Sequence, residues 1–117
     1  MEQKSALVLG ASGLIGSEVL TLCLESEMYN KVIAPVRRPL LIDHEKLFEK
    51  VIDFDMPPWE DLFPVDHVYC CLGTTIKMAG SKSNFRKVDH DYPLAFGGAA
   101  RKWNASVFSI VTAAGSN

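Results

Sequence analysis

Three glycines spaced three residues apart, Gly10, Gly13 and Gly16, separate an apolar run from a helix-patterned segment. No other feature constrains the chain as much. The run before them, Ala6-Leu7-Val8-Leu9, has no polar break and reads as a strand buried on both faces. After them, Ile15, Val19, Leu22 and Cys23 recur at helical spacing between Leu14 and Leu24, and the helix is expected to end near Ser26. A strand that turns through glycines straight into a helix leaves the first helical N–H groups unpaired at the turn. The positive end of the helix dipole sits there too. Each glycine has its own physical reason. The first allows a tight turn, the second lets a phosphate group approach the backbone, and the third lets helix and sheet pack closely.

The rest of the chain repeats the alternation. Val32 to Val36 reads as a second strand, with Pro35 better suited to a strand end or bulge than to a central position. Val51 to Phe54 reads as a short third strand. A loop or short helix with Trp59, Leu62 and Phe63 follows Pro57-Pro58. His67 to Leu72 reads as a fourth strand, Thr74 to Ser83 as a loop, and Asn84 to Trp103 as mainly helical with a weak point at Gly97-Gly98. Ala105 to Val111 reads as a fifth strand. Apolar strands alternating with helices imply an α/β fold, a doubly wound parallel sheet of about five strands. The expected strand order is 3-2-1-4-5, that of a Rossmann fold, in one domain over residues 1–117.

In that context the glycines point to a dinucleotide whose pyrophosphate rests on the helix N-terminus, held by Gly10, Ala11, Ser12, Gly13, Leu14, Ile15 and Gly16. The alternative is a Gly-rich turn serving another ligand. A Gly-Lys-Ser/Thr phosphate loop is excluded, because no such tripeptide follows. The end of the second strand bears on which dinucleotide is taken. NAD-selective sites place a carboxylate there, on the ribose hydroxyls, whereas this chain has Arg37 and then Arg38. A guanidinium can pair with a 2′-phosphate through two hydrogen bonds and stack on adenine, so NADP(H) is expected in preference to NAD(H). The plainer reading is two solvated arginines on a loop.

Composition narrows the remaining classes. The formal net charge is −2, and the basic clusters are short, so no nucleic-acid partner is expected. No apolar stretch reaches membrane-spanning or signal-peptide length, so no membrane partner is expected and a cytoplasmic location follows by default. Cys23, Cys70 and Cys71 lack ligand spacing, as do the scattered histidines. Reduced thiols and no metal are expected.

The segments GASGLIG, RRP, CCLGTTIKMAGS and FRKVDHDYPL together resemble the atypical short-chain dehydrogenase/reductase superfamily, and within it the TIP30-type oxidoreductases and their bacterial relatives. The similarity runs over essentially the whole chain, and the CCLGTT and VDHDY blocks are more specific than the glycines. The resemblance implies a cofactor site in which Arg37 and Arg38 take the 2′-phosphate. Asp53 and Phe54, after the third strand, would flank the adenine, and Leu72, Gly73 and Thr74 would line the cofactor beyond the fourth. From the residues alone, Asp53 reads as a capping or surface carboxylate and Thr74 as turn chemistry. Tyr92 reads as a helix-face packing residue.

The family's acid/base chemistry needs a hydroxyl after the fifth strand and a YxxxK pair beyond it. Thr112 matches the hydroxyl position, but no Tyr in this sequence is followed four residues later by Lys. The expectation is therefore a truncated product or fragment: the cofactor-binding part of an oxidoreductase- or epimerase-like enzyme, not catalytic alone, its small-molecule substrate unspecified. A nucleotide-sensing regulatory or interaction module is the main alternative, and a flavodoxin-like domain that binds nothing is a third. An outer fifth strand without a neighbour would invite a homodimer through its edge.

Overall fold

The computed structural model describes residues 3–72 and 80–111. At its centre lies β1 (Lys4–Leu9), which pairs in parallel with β2 (Tyr29–Val36) on one side and β4 (His67–Cys70) on the other. Strand β3 (Leu47–Val51) runs parallel to β2, and β5 (Val107–Ile110) runs parallel to β4. The sheet is therefore five-stranded and all parallel, in the order β3-β2-β1-β4-β5, as the alternation of elements required.

Side chains of successive strand residues point to opposite faces, and both faces of β1 are sealed. Leu7 and Leu9 enter a core with Phe54, Leu62, Phe63, Tyr92 and Phe96. Ala6 and Val8 enter the other, with Leu20, Cys23 and Leu24 of α1 (Leu14–Glu25). The short helix α2 (Trp59–Leu62) and a long helical run from Lys82 to Lys102 cover the first face, and α1 covers the second. This double coverage explains why Ala6 to Leu9 shows no polar alternation. Each fully buried leucine there contributes about 1.5–3 kcal/mol. At the amino ends of the strands the buried Tyr29 hydroxyl is bracketed by Tyr69 Oη at 2.6 Å and His67 Nδ1 at 2.7 Å, so its polar tip is satisfied.

Some boundaries differ from the sequence reading. The third strand is Leu47–Val51, not Val51 to Phe54, and Asp53 and Phe54 lie in the loop after it. Being an edge strand with exposed Phe48 and Val51, it carries charged residues and no continuous apolar run. Strand β2 begins three residues earlier than expected, at Tyr29, and contains the buried Pro35. Its pairing with β1 ends at Ile33, so Pro35 sits where β3 is the remaining neighbour and a missing N–H is tolerated.

The long helical run starts at Lys82, capped by the Ser81 hydroxyl, which accepts from the Asn84 N–H at 3.1 Å. It comprises α3 (Lys82–Arg86), a π turn (Lys87–Asp91) and α4 (Tyr92–Lys102). Gly97-Gly98 does not break it. A Cβ at Gly97 would lie 3.5 Å from the Phe108 ring, an ordinary contact distance, so α4 packs on β5 there without requiring glycine.

Candidate functional site

The turn between β1 and α1 is built by two glycines that the fold itself demands. Gly10 has φ +77°, and a Cβ there would come within 2.6 Å of the Cys71 carbonyl oxygen. The first residue after β4 thus closes against the turn. A Cβ on Gly16 would lie 1.7 Å from the Gly10 carbonyl oxygen, so α1 can start under the turn only with glycine at that position.

Gly13 is different. Its φ of −79° and ψ of 172° suit any residue. A Cβ there would sit 3.4 Å from the nearest atom, the Gly10 carbonyl oxygen. The protein's own packing does not require a glycine here. Gly13 is also the N-cap of α1, with no side-chain hydrogen bond to the helix and no acidic residue in the first turn. The positive end of a twelve-residue helix therefore faces outward uncompensated.

It faces a cleft of about 860 Å³ at the carboxyl ends of β1, β2 and β4. The glycine turn supplies Gly10, Ala11, Ser12 and Gly13. The end of β2 and the loop after it supply Pro35, Val36, Arg37, Arg38 and Pro39. The β3–α2 loop adds Ile52, Asp53, Phe54 and Asp55, and the end of β4 adds Cys71 and Leu72. Asn84, Lys87, Val88 and Tyr92 form a helical wall. Nine residues singled out in the sequence, Gly10 to Gly13, Arg37, Arg38, Asp53, Phe54 and Leu72, are thus brought to one cleft. Leu14, Ile15 and Gly16 form the first turn of α1 beside it and do not line it; Leu14 points to solvent. Gly73, Thr74 and Thr112 lie outside the described residues.

The cleft's charged groups differ in how they are engaged. The Asp53 carboxylate accepts the Asp55 N–H at 2.9 Å, so it also shapes the loop. Asp55 accepts the Tyr92 hydroxyl at 3.0 Å and pairs with Lys87 Nζ at 3.5 Å. The Arg37 guanidinium lies 5.8 Å from the centre of the Phe54 ring, whose plane is tilted against Tyr92 at 5.6 Å. Among the described residues neither Arg37 nor Arg38 forms an ion pair. Burial and the hydrogen bond to Asp55 push the Tyr92 hydroxyl pKa up. Tyr92 is thus a packing residue, as read from sequence, with an added polar tie to the cleft. Burial pushes the Cys71 thiol up to about 11, so it faces the cleft uncharged at neutral pH.

Asp55, Asn84 and Lys87 escaped the sequence reading. Nothing marks Asp55 beyond its closeness to Asp53, and the helical wall depends on a local change of register described below. No group of three or more His, Cys, Asp and Glu residues suited to a metal occurs among the described residues. None of the described helices is long and apolar enough to cross a membrane.

No family model matches the chain. The mitochondrial protein FMP52 of Eremothecium gossypii is 36% identical over 115 residues, covering 97% of this chain and 51% of FMP52. HTATIP2 of Rattus norvegicus is 32% identical over 122 residues, covering 100% of this chain and 50% of HTATIP2. The chain is a homologue of HTATIP2 and FMP52. It spans about half the length of these relatives. Among solved structures, MoeE5 in complex with UDP-glucose and NAD superposes with a TM-score of 0.77 at 19% identity, over 94% of this chain and 36% of MoeE5. Uronate dehydrogenase from Agrobacterium tumefaciens gives 0.77 at 15% identity, over 97% of this chain and 42% of the enzyme. These neighbours share the Rossmann fold. The kinship read from the GASGLIG, CCLGTT and VDHDY blocks thus stands.

Proposed function

We propose that this chain is a dinucleotide-binding domain of an atypical short-chain dehydrogenase/reductase-like oxidoreductase, and that it takes NADP(H) in preference to NAD(H). One observation carries the reading: the uncapped N-terminus of α1 opens, through a glycine that the fold does not need at position 13, into a cleft at the carboxyl ends of the central strands. In a doubly wound sheet this is where a pyrophosphate finds free N–H groups and the positive helix end. MoeE5, which shares the fold, binds NAD. In the proposed site Gly10 to Gly16 hold the pyrophosphate, Leu72 with Gly73 and Thr74 line the cofactor beyond β4, and Asp53 and Phe54 flank the adenine.

Arg37 and Arg38 support the choice of NADP(H). They stand at the end of β2, where a carboxylate would favour unphosphorylated ribose, and they have no carboxylate partner among the described residues. The nicotinamide supplies hydride chemistry when bound; the part assigned to these residues is to bind and orient the dinucleotide. No Tyr here is followed four residues later by Lys, so the proposal assigns binding and no turnover to this segment.

Titration of NADPH and NADH into the purified chain, read by calorimetry, tests this. NADPH is expected to bind more tightly, and Arg37→Ala to erase most of the difference, about tenfold for a charge-assisted phosphate contact. A folded chain that binds neither at millimolar concentration overturns the reading. Equal affinities overturn the NADP(H) preference alone.

A further inference from the structure

The helical wall of the cleft is set by a single irregularity. Tyr92 N–H donates to the Lys87 carbonyl, five residues back, and not to a carbonyl four residues back. Pro93 follows at once. In an unbroken α-helix its ring would press on the Asp89 carbonyl and its missing N–H would leave that carbonyl unpaired. The π turn relieves this clash. Its wider turn takes in one extra residue, which rotates everything before it by about 100° relative to everything after.

The rotation changes the chemistry of the wall. Tyr92 and Phe96 fix the buried face of α4. Counted back from them at α-helical spacing, Phe85, Val88 and Asp89 would face the cleft. The residues that line it are Asn84, Lys87 and Val88. The irregularity therefore exchanges a phenylalanine and a carboxylate for an amide and an ammonium. The charged residues lining the cleft are then three cations, Arg37, Arg38 and Lys87, and two carboxylates, Asp53 and Asp55. Lys87 tips that balance to positive, and its Nζ lies 3.5 Å from Asp55. Asp55 sits in the same corner as Arg37: its carboxylate holds the Tyr92 hydroxyl, Tyr92 packs on Phe54, and Arg37 lies over Phe54.

We propose that Lys87, turned into the cleft by the π turn, is a positioning residue that neutralises Asp55 and so lets this corner accept the 2′-phosphate of NADP(H). This inference rests on the dinucleotide reading above. Without Lys87, a phosphate seated at Arg37 would share the cleft with Asp53 and Asp55, and neither carboxylate would have a cation partner among the described residues. NADH carries no charge at that position, so Lys87 should matter little to it.

The test is calorimetric titration of NADPH and NADH into the 117-residue chain and its variants, with circular dichroism to confirm folding. Lys87→Met is expected to weaken NADPH about fivefold and NADH less than twofold, the scale of a half-exposed ion pair. Adding Asp55→Asn to Lys87→Met should restore NADPH affinity, since the charge needing compensation is gone, and Lys87→Arg should retain it. Lys82→Met removes the same charge from the same helical run away from the cleft and should change neither affinity. If Lys87→Met leaves the NADPH-to-NADH ratio as it was, or if Asp55→Asn fails to rescue it, the proposal is overturned while dinucleotide binding stands. If the unmodified chain binds neither nucleotide, the dinucleotide reading itself has failed.

Discussion

Gly13 and Gly16 stand three residues apart in one motif, yet different things require them. Gly16 is required from within, since any Cβ would collide with the Gly10 carbonyl at 1.7 Å. Gly13 meets no such limit and adopts an ordinary extended backbone. Alanine at the two positions should therefore give opposite results. Gly16→Ala is expected to cost about 3 kcal/mol or more, the upper range for overpacking, seen as a large fall in the urea midpoint. Gly13→Ala should stay within about 1 kcal/mol of the parent, because a glycine in a conformation open to all residues loses little on replacement. It should nonetheless weaken NADPH binding by tenfold or more, because the methyl group would stand where the backbone must approach the pyrophosphate. A Gly13→Ala chain that binds NADPH as before would remove the pyrophosphate from this turn. The spacing of the glycines and the separate reason for each were legible in the sequence, but how tightly the fold holds each position was not. It depends on where the Cys71 and Gly10 carbonyls lie, which only the assembled sheet sets. Asp55 was hidden for a similar reason: its partners Tyr92 and Lys87 come from a helix more than thirty residues later.

At the level of elements, a buried strand and an amphipathic helix announce themselves through periodicity, so β1, α1 and β4 fell close to where the residues placed them. An edge strand does not. Leu47-Phe48-Glu49-Lys50-Val51 has one partner strand and a half-exposed face, so charged residues are permitted and the apolar signal moves past its end to Ile52 and Phe54. The π turn was equally hidden, since it extends a helix while shifting its face, and a window of constant helical period averages over it. Pro93 was its visible trace. If the proline imposes the π turn, Pro93→Ala frees the Asp89 carbonyl to accept a regular helical bond. The helix should then keep or gain stability, by up to about the 3 kcal/mol that separates proline from alanine inside a helix. Lys87 should swing away from the cleft as Asp89 swings toward it. The expected result is an unchanged or higher thermal midpoint with an NADPH-to-NADH preference lowered as far as in Lys87→Met. An unchanged preference would mean that contacts other than Pro93 hold the register.

Across the molecule, the described thiols and phenols that burial shifts share one direction of response. Burial raises the thiols of Cys23 and Cys71 from 9.0 to about 11 and raises Cys70 as well. It likewise raises Tyr29 and Tyr92, helped by their hydrogen bonds to Tyr69 and Asp55. All of these groups are neutral when protonated, and the unfolded chain releases their protons at lower pH than the folded one. For Cys23 and Cys71 the resulting contribution to stability is complete below pH 9.0 and is lost as pH climbs toward about 11, while for the two tyrosines the loss begins only above pH 10.0. On the acid side Asp66 runs the other way. The Ser5 N–H donates to its carboxylate and holds its pKa below 3.8, so its contribution is present above that value and fades as pH falls. The urea midpoint should accordingly stay level through neutral pH and then drop steeply from about pH 9 upward. Cys23 is the cleanest probe, because it packs against Tyr29 and β2 in the α1-side core, away from the cleft. Cys23→Ala should lower the midpoint at neutral pH through lost packing, yet make the alkaline decline shallower, because one proton fewer is released on unfolding. If the parent and Cys23→Ala lose stability with the same slope between about pH 8 and pH 11, the thiol is not buried in the folded chain, and the α1-side core would have to pack differently.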